Sequence, residues 1–175
     1  MRRSLPRSLK ARSNPNRKTP DVNIGVLSDT HNFLDPKIPA LFAGVHHILH
    51  AGDIGLPALL SELRKTAPVT AVSGNTDDPA FRFKLIETLE LGGRNFLLQH
   101  IVNPLDPGDA LKARIAHCHP AAIVFGHSHK PFCQTLGGIL FFNPGYCGRA
   151  RLGLARTVAI LHSDPDGIHS EVIPL

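Results

Sequence analysis

Five short motifs in a fixed order constrain this chain more than any other feature of its 175 residues. They are Asp29-Thr30-His31, Gly52-Asp53, Gly74-Asn75, a lone His100, and Gly126-His127-Ser128-His129. Each follows an apolar, strand-like run: Ile24 to Leu27, His47 to Leu49, Val69 to Val72, Phe96 to Leu98, and Ile123 to Phe125. Each supplies Asp, Asn or His, the oxygen and imidazole ligands that suit divalent transition metals. Open α/β sheets bind ligands beyond the carboxyl ends of their strands. The order therefore predicts a single sheet that gathers a metal centre along that edge.

The spacing within the motifs points the same way. Asp29 and His31 are two apart, and alternate side chains of an extended segment share a direction. His127 and His129 repeat the arrangement. Gly52, Gly74 and Gly126 let the backbone approach closely. The set holds two carboxylates, one amide and four imidazoles, more ligands than one ion with an open position takes. Two ions sharing a carboxylate fit better. Two divalent cations against two carboxylates leave a charge of about +2, which suits hydroxide and a phosphate ester. Ions roughly 3.5–4 Å apart generate hydroxide near neutral pH, orient the phosphate and stabilise the leaving oxygen.

Along the chain, Val22 to Leu27 reads as a buried strand and Asp35-Pro36 as a helix opening, with Ile38, Leu41 and Phe42 at helical spacing. His46 to His50 is a second strand. Pro57 opens a helix with Leu59, Leu60 and Leu63 on one face, Pro68 ends it, and Val69 to Val72 is a third strand. This alternation predicts parallel pairing with right-handed crossovers. Phe81 to Leu91 and Asn95 to Gln99 then read as a hairpin across Gly92-Gly93. Asp106-Pro107 opens a helix carrying Leu111, Ile115 and Cys118, which Pro120 stops. Ile123 to Phe125 is another strand. Two further hairpins follow, Phe132 to Leu136 with Ile139 to Phe142, and Thr157 to Leu161 with Ile168 to Ile173. The mixture predicts two packed sheets with helices outside.

Charge divides the chain. Residues 1–20 hold seven basic side chains and no acidic one, leaving 12 basic against 14 acidic in the remainder. The pI of 9.5 thus belongs to the tail, and the body does not read as a nucleic-acid-binding domain. With Pro6, Pro15 and Pro20 and few apolar residues, 1–20 reads as a disordered basic tail and 21–175 as one domain. No run of about 20 apolar residues suggests a membrane helix, and no secretory signal pattern is evident. Cys118, Cys133 and Cys147 form no CxxC, which suits free thiols in a reducing, cytoplasmic compartment. Assembly with further copies of the chain is left open. Phosphoryl transfer on a P-loop is excluded, because no G-x-x-x-x-G-K-[ST] occurs. An amidohydrolase barrel needs a longer chain, and the H-x-H-x-D-H cluster of β-lactamase-like hydrolases is absent.

The order D-x-H, G-D, G-N-x-D, H, G-H-x-H resembles that of the calcineurin-like metallophosphoesterases, and most of all their small bacterial and archaeal branch. The resemblance spans about residues 22–175, and Asn143-Pro144-Gly145 is similar to that branch's N-P-G-S. It implies a four-layer α/β/β/α sandwich of two mixed sheets. It also implies a binuclear phosphoesterase, more a phosphodiesterase than a monoesterase, in which a metal-bridging hydroxide attacks phosphorus. Asp29, His31 and His129 would hold the first ion, and Asn75, His100 and His127 the second. Asp53 would bridge them, and Asp53, Asn75 and His127 would carry the catalysis. Manganese is the first expectation for the ions, with nickel, iron, cobalt and zinc as alternatives. The alternative function is a metal-binding, catalytically weak interaction scaffold of the same fold, as in a eukaryotic sorting-complex subunit.

Three positions depart from the family pattern. Thr76 stands where larger phosphatases place a histidine, and its hydroxyl is no general acid at neutral pH. Ile101 replaces a glycine after His100. Tyr146 replaces the serine of N-P-G-S. Thr76, Tyr146 and Arg149 are the candidate contacts to a small phosphate-ester substrate, with Arg151 a further guanidinium matched to phosphate geometry. Asp77 reads either as an acceptor orienting a ligand or as an exposed turn residue. His46, His47, His50, His162 and His169 read as surface or strand residues, and His117-Cys118-His119 as a helix end.

Overall fold

The computed structural model describes residues 20–175, so the expectation for the basic tail lies almost wholly outside the described residues. Ten strands form two five-stranded sheets, ordered β10-β9-β1-β2-β3 and β4-β5-β6-β8-β7. In the first sheet β1 (Val22–Leu27), β2 (His47–His50) and β3 (Val69–Ala71) are parallel, and β9 (Thr157–Asp164) and β10 (Gly167–Pro174) add antiparallel strands beside β1. In the second sheet β5 (Arg94–Gln99), β6 (Ala122–Val124) and β8 (Ile139–Asn143) are parallel. There β4 (Ile86–Leu91) and β7 (Phe132–Leu136) pair antiparallel at the edges. Both sheets are mixed, as expected.

Alternation along the strands sets the layers. Ile24, Val26 and Leu49 of the first sheet meet Phe96, Leu98, Val124 and Phe142 of the second in one buried cluster. Leu27, Ile48 and Val158 face the other way. They pack on Ile38 and Phe42, in and just after α1 (Ile38–Leu41), and on Leu59, Leu60 and Leu63 of α2 (Ala58–Leu63). Leu97, Ile123 and Phe141 turn outward onto Leu111 of α3 (Gly108–Cys118). Helix, sheet, sheet and helix thus form four layers. Among the described residues no helix is long and apolar enough to cross a membrane.

Two expectations need correction. The motifs do not end the strands of one sheet. Asp29, Asp53 and Asn75 follow β1, β2 and β3, whereas His100 and the two histidines of the last motif follow β5 and β6 of the other sheet. The centre lies where the carboxyl ends of two sheets converge. The hairpin strand expected from Phe81 begins only at Ile86. Asp78 accepts the Ala80 N–H (2.8 Å) and Pro79 opens a 3₁₀ turn over Pro79–Phe81, which Arg82 leaves in a left-handed conformation at φ 54°. Local capping therefore outcompeted the apolar pattern there.

His50 ends β2 fully buried. Its Nε2 lies 2.9 Å from the Thr30 hydroxyl, and its Nδ1 is placed to accept the Gly52 N–H at 3.3 Å. These contacts tie the turn after β1 to the turn after β2. Burial pushes the imidazole down from 6.5 to about 3, so it folds neutral. Between those values the unfolded chain binds the extra proton, and stability falls as pH falls below about 6.5. At pH 4.5 the cost is about 2–3 kcal/mol at ~1.4 kcal/mol per pKa unit. We predict that chelator-treated His50→Gln loses less stability than the parent between pH 6.5 and 4.5 in urea melts, by about that amount. Equal losses would show that His50 is not the buried neutral group responsible.

Candidate metal centre

The turns that carry the candidate ligands are strained and cross-braced. Asp29, His31, Asp53, His127 and His129 all have left-handed backbones, with φ between 44° and 68°. The two-residue spacing of Asp29 and His31 thus works through a left-handed turn and not the extended segment expected. Such conformations cost non-glycine residues free energy and persist where surroundings over-determine them. Here the Asp29 N–H donates to the Gly52 carbonyl (3.0 Å) and the His31 N–H to the Asp53 carbonyl (2.9 Å). The His127 N–H donates to Asp29 Oδ2 (3.1 Å), linking the two sheets through a ligand carboxylate.

Two glycines answer to the same crowding. A Cβ on Gly52, at φ 100°, would lie 2.6 Å from His100 Nδ1, and one on Gly74 would collide with the Asp53 carboxylate. Asp77 is buried and accepts the Gly55 N–H (2.7 Å) and the Gly74 N–H (2.8 Å). It braces two ligand-bearing loops and does not bond a ligand side chain.

The ligand atoms converge in two groups, Asp29 with His31 and His129, and Asp29 with Asp53 and His100. His129 Nε2 is 3.1 Å from Asp29 Oδ1, and His31 Nε2 is 3.5 Å from His129 Nε2. Asp53 Oδ2 stands 3.8 Å from His31 Nε2 and 3.5 Å from His100 Nε2. Asn75 and His127 sit at the exposed edge, with Asn75 Oδ1 2.9 Å from His127 Nδ1 and the His127 ring 5.4 Å from that of His100. All seven expected positions are thus brought to one place, five of them tightly grouped.

His100 Nδ1 lies 2.6 Å from the Ala51 carbonyl. The hydrogen bond puts the proton on Nδ1 and leaves Nε2 to face the carboxylates, the arrangement that orients metal-ligating histidines. His100 Nε2 and Asp29 Oδ1 are buried without a hydrogen-bond partner. An unsatisfied buried polar atom costs about 1–3 kcal/mol, and divalent cations held by these residues would satisfy both. The donor set therefore fits the metal that the motifs imply.

Electrostatics agree. Burial raises the Asp29 carboxyl against the pull of Ser28 and the neighbouring histidines. Burial also works to raise Asp53, but His100 and the Thr76 N–H (2.9 Å to Oδ1) outweigh it and hold the carboxyl well below the usual range. Burial works to lower His100, yet the Asp53 carboxylate, the Ala51 carbonyl and Asp29 keep it above the ordinary histidine value. His31 is lowered, chiefly by burial. A cation entering here would compete with a proton for His100 Nε2, as metal binding to imidazole requires.

The three candidate substrate contacts are placed differently from one another. Thr76 is exposed, with its hydroxyl 3.4 Å from His31 Nδ1, so it touches a ligand from behind. Tyr146 is fully buried. Its ring packs 4.7 Å from His129 and 6.0 Å from His31, and its hydroxyl donates to the Arg149 carbonyl (3.0 Å). It backs two ligands and offers no surface to a substrate. Arg149 is exposed, with its guanidinium 5.0 Å over the Phe33 ring, and Arg151 lies 5.5 Å over Tyr146.

Sequence reasoning missed three supporting residues. His50 is one. Asn143 donates from Nδ2 to the Gly126 carbonyl (2.7 Å) and to the Ser128 hydroxyl (3.1 Å), holding the last motif's turn. Its signal was the Asn-Pro-Gly motif itself. Arg156 pairs with Asp35 (2.6 Å) and donates from Nε to the Gly148 carbonyl (2.6 Å), fastening the loop after Tyr146 to the loop before α1. Nothing local in the sequence signals that pairing across 121 residues.

With this geometry in hand, comparison with known proteins is informative. The calcineurin-like phosphoesterase superfamily domain matches residues 22–166. A probable metallophosphoesterase from Methanothermobacter thermautotrophicus is 32% identical over 161 residues, covering 86% of this chain and 91% of that protein. Solved structures with the same fold include an archaeal phosphodiesterase (TM-score 0.72, 23% identity, 87% of this chain and 99% of that one). They also include Vps29 from Chaetomium thermophilum (TM-score 0.67, 19% identity, 88% and 95%). The chain belongs to the calcineurin-like phosphoesterase superfamily.

Proposed function

We propose that this protein is a binuclear metal-dependent phosphodiesterase. The observation that carries the reading is the convergence of Asp29, Asp53 and His100, with Asp29 Oδ1 and His100 Nε2 buried without a hydrogen-bond partner. Asp29, His31 and His129 would hold one ion, and His100, Asn75 and His127 the other. Asp53 Oδ2 lies between His31 and His100, the position a shared carboxylate needs. Bound ions supply Lewis acidity toward phosphate oxygens and an activated water at neutral pH. Manganese suits this oxygen and nitrogen set, as do nickel, iron, cobalt and zinc.

The protein's own part is arrangement. The Ala51 carbonyl fixes the His100 tautomer, and Thr76 contributes its N–H to Asp53 and its hydroxyl to the back of His31. Tyr146 holds His129 in place. Arg151, exposed over the Tyr146 ring, puts positive charge on the His31 and His129 side of the cluster. Thr76 stands where a general acid would be useful, and its hydroxyl is not one at neutral pH. A diester with a good leaving group is the substrate this arrangement serves best. A compartment that keeps thiols reduced suits the free Cys118, Cys133 and Cys147, and we place the protein in the cytoplasm on that ground.

Metal-stripped protein should not hydrolyse bis(p-nitrophenyl) phosphate, and added manganese should restore turnover with two ions bound per chain by equilibrium dialysis. Asp53→Asn should lower kcat by about 10²-fold or more, in keeping with loss of an electrostatic stabiliser, and should reduce the bound stoichiometry. Two ions bound without turnover of any diester or monoester would instead favour a binding protein of this fold, as the similarity to Vps29 suggests. Across a series of aryl and alkyl diesters, kcat should fall steeply as leaving-group pKa rises. A flat dependence would show that an acid is present after all.

A further inference from the structure

The ligand cluster has two unlike flanks. On the side of His31 and His129 stand Tyr146 and, over its ring, the Arg151 guanidinium. On the side of Asn75 and His100 lies a cavity of about 320 Å³ walled by Leu85, Ile86 and Ile101, with Gln99 beside them. Among the described residues, no lysine, arginine, aspartate or glutamate lines it. Leu85 is 73% exposed and Ile101 50%, so two large aliphatic side chains stand in water around an opening that leads to ligand residues. Exposed apolar groups grouped in a concavity mark ligand-binding surface. The wall is held in place: Gln99 Nε2 donates to the Ile101 carbonyl at 2.9 Å.

We infer that this cavity seats one organic substituent of the phosphodiester, and that the substituent is an apolar ring of aryl size. The inference rests on the phosphodiesterase reading above. A phosphate turned toward the ligands with its unesterified oxygens must direct its ester groups sideways. The Arg151 side offers charge, and the Asn75–His100 side offers apolar room. The volume is at the lower end of the roughly 300–1,000 Å³ of small-molecule sites, enough for one ring system and too little for a polymer. Leu85 and Ile101 are therefore specificity-determining residues, which neither hold metal nor touch the reacting phosphorus.

Binding and turnover separate this inference from the hydrolase reading. Calorimetry on manganese-loaded protein would compare diphenylphosphinate with dimethylphosphinate, whose phosphorus–carbon bonds do not hydrolyse. Diphenylphosphinate should bind at least about tenfold more tightly, the scale of hydrophobic-pocket discrimination. Leu85→Glu and Ile101→Ser, each checked for folding by its melting curve, should each cut that ratio several-fold. The kcat/KM ratio of phenyl p-nitrophenyl phosphate to methyl p-nitrophenyl phosphate should fall in parallel. Absent binding of diphenylphosphinate, no preference for it, or a preference that both variants retain would overturn the cavity assignment. Turnover of both esters without an aryl preference would overturn it while keeping the hydrolase. A variant-sensitive phosphinate preference with no turnover of any ester would support the cavity and overturn the hydrolase.

Discussion

The burial of two carboxylates side by side, Asp29 and Asp53, is the constraint on which the rest of the structure depends. Both are almost wholly removed from water. Buried charges are tolerated only when paired, hydrogen-bonded or bound to metal. The neighbourhood of the pair is organised accordingly. Histidines surround the carboxylates, the N–H groups of Thr76 and His127 each donate to one of them, and two polar atoms remain aimed at the space between. The same unfavourable electrostatics that make the pair costly favour a cation beside it.

The fold supplies what such a pair needs. Parallel strands end in turns, and the carboxyl ends of the two sheets' inner strands meet at one rim. Ligands from β1 and β2 can therefore face ligands from β5 and β6 with the apolar sandwich directly beneath. The sandwich also explains why strained turns survive there. Of the five left-handed positions, Asp29, His31 and Asp53 take part in backbone hydrogen bonds that cross between loops, the His127 N–H donates to the Asp29 carboxylate, and these loops are pinned by His50, Asp77, Asn143 and Arg156. The result is preorganisation: side chains that repel one another are held at short range before any ion or substrate arrives.

Much of this was legible along the chain. The motifs and the apolar runs before them located five of the ten strands, β1, β2, β3, β5 and β6. The start of β4 was not legible, because Asp78 and Pro79 organise a local turn that overrides an apolar run. The role of Tyr146 was not legible either. A tyrosine after Asn-Pro-Gly reads equally as a substrate contact or as packing, and only its burial against His129 decides. The bracing role of His50 was not legible for a related reason: an isolated histidine at a strand end carries no local mark of whether water reaches it.

By itself the sequence determined the family, the class of the fold and the candidate ligand set, because residue type, motif order and apolar strand-like runs are local properties. Only the tertiary structure decided which sheet carries which ligand, which residues brace them, and what flanks the centre. Those are long-range facts. His127 reaches Asp29 across 98 residues and Arg156 reaches Asp35 across 121, and Leu85 becomes part of a cavity only when Ile101 is folded opposite it. Packing and chain crossover create such proximities, and no local pattern encodes them.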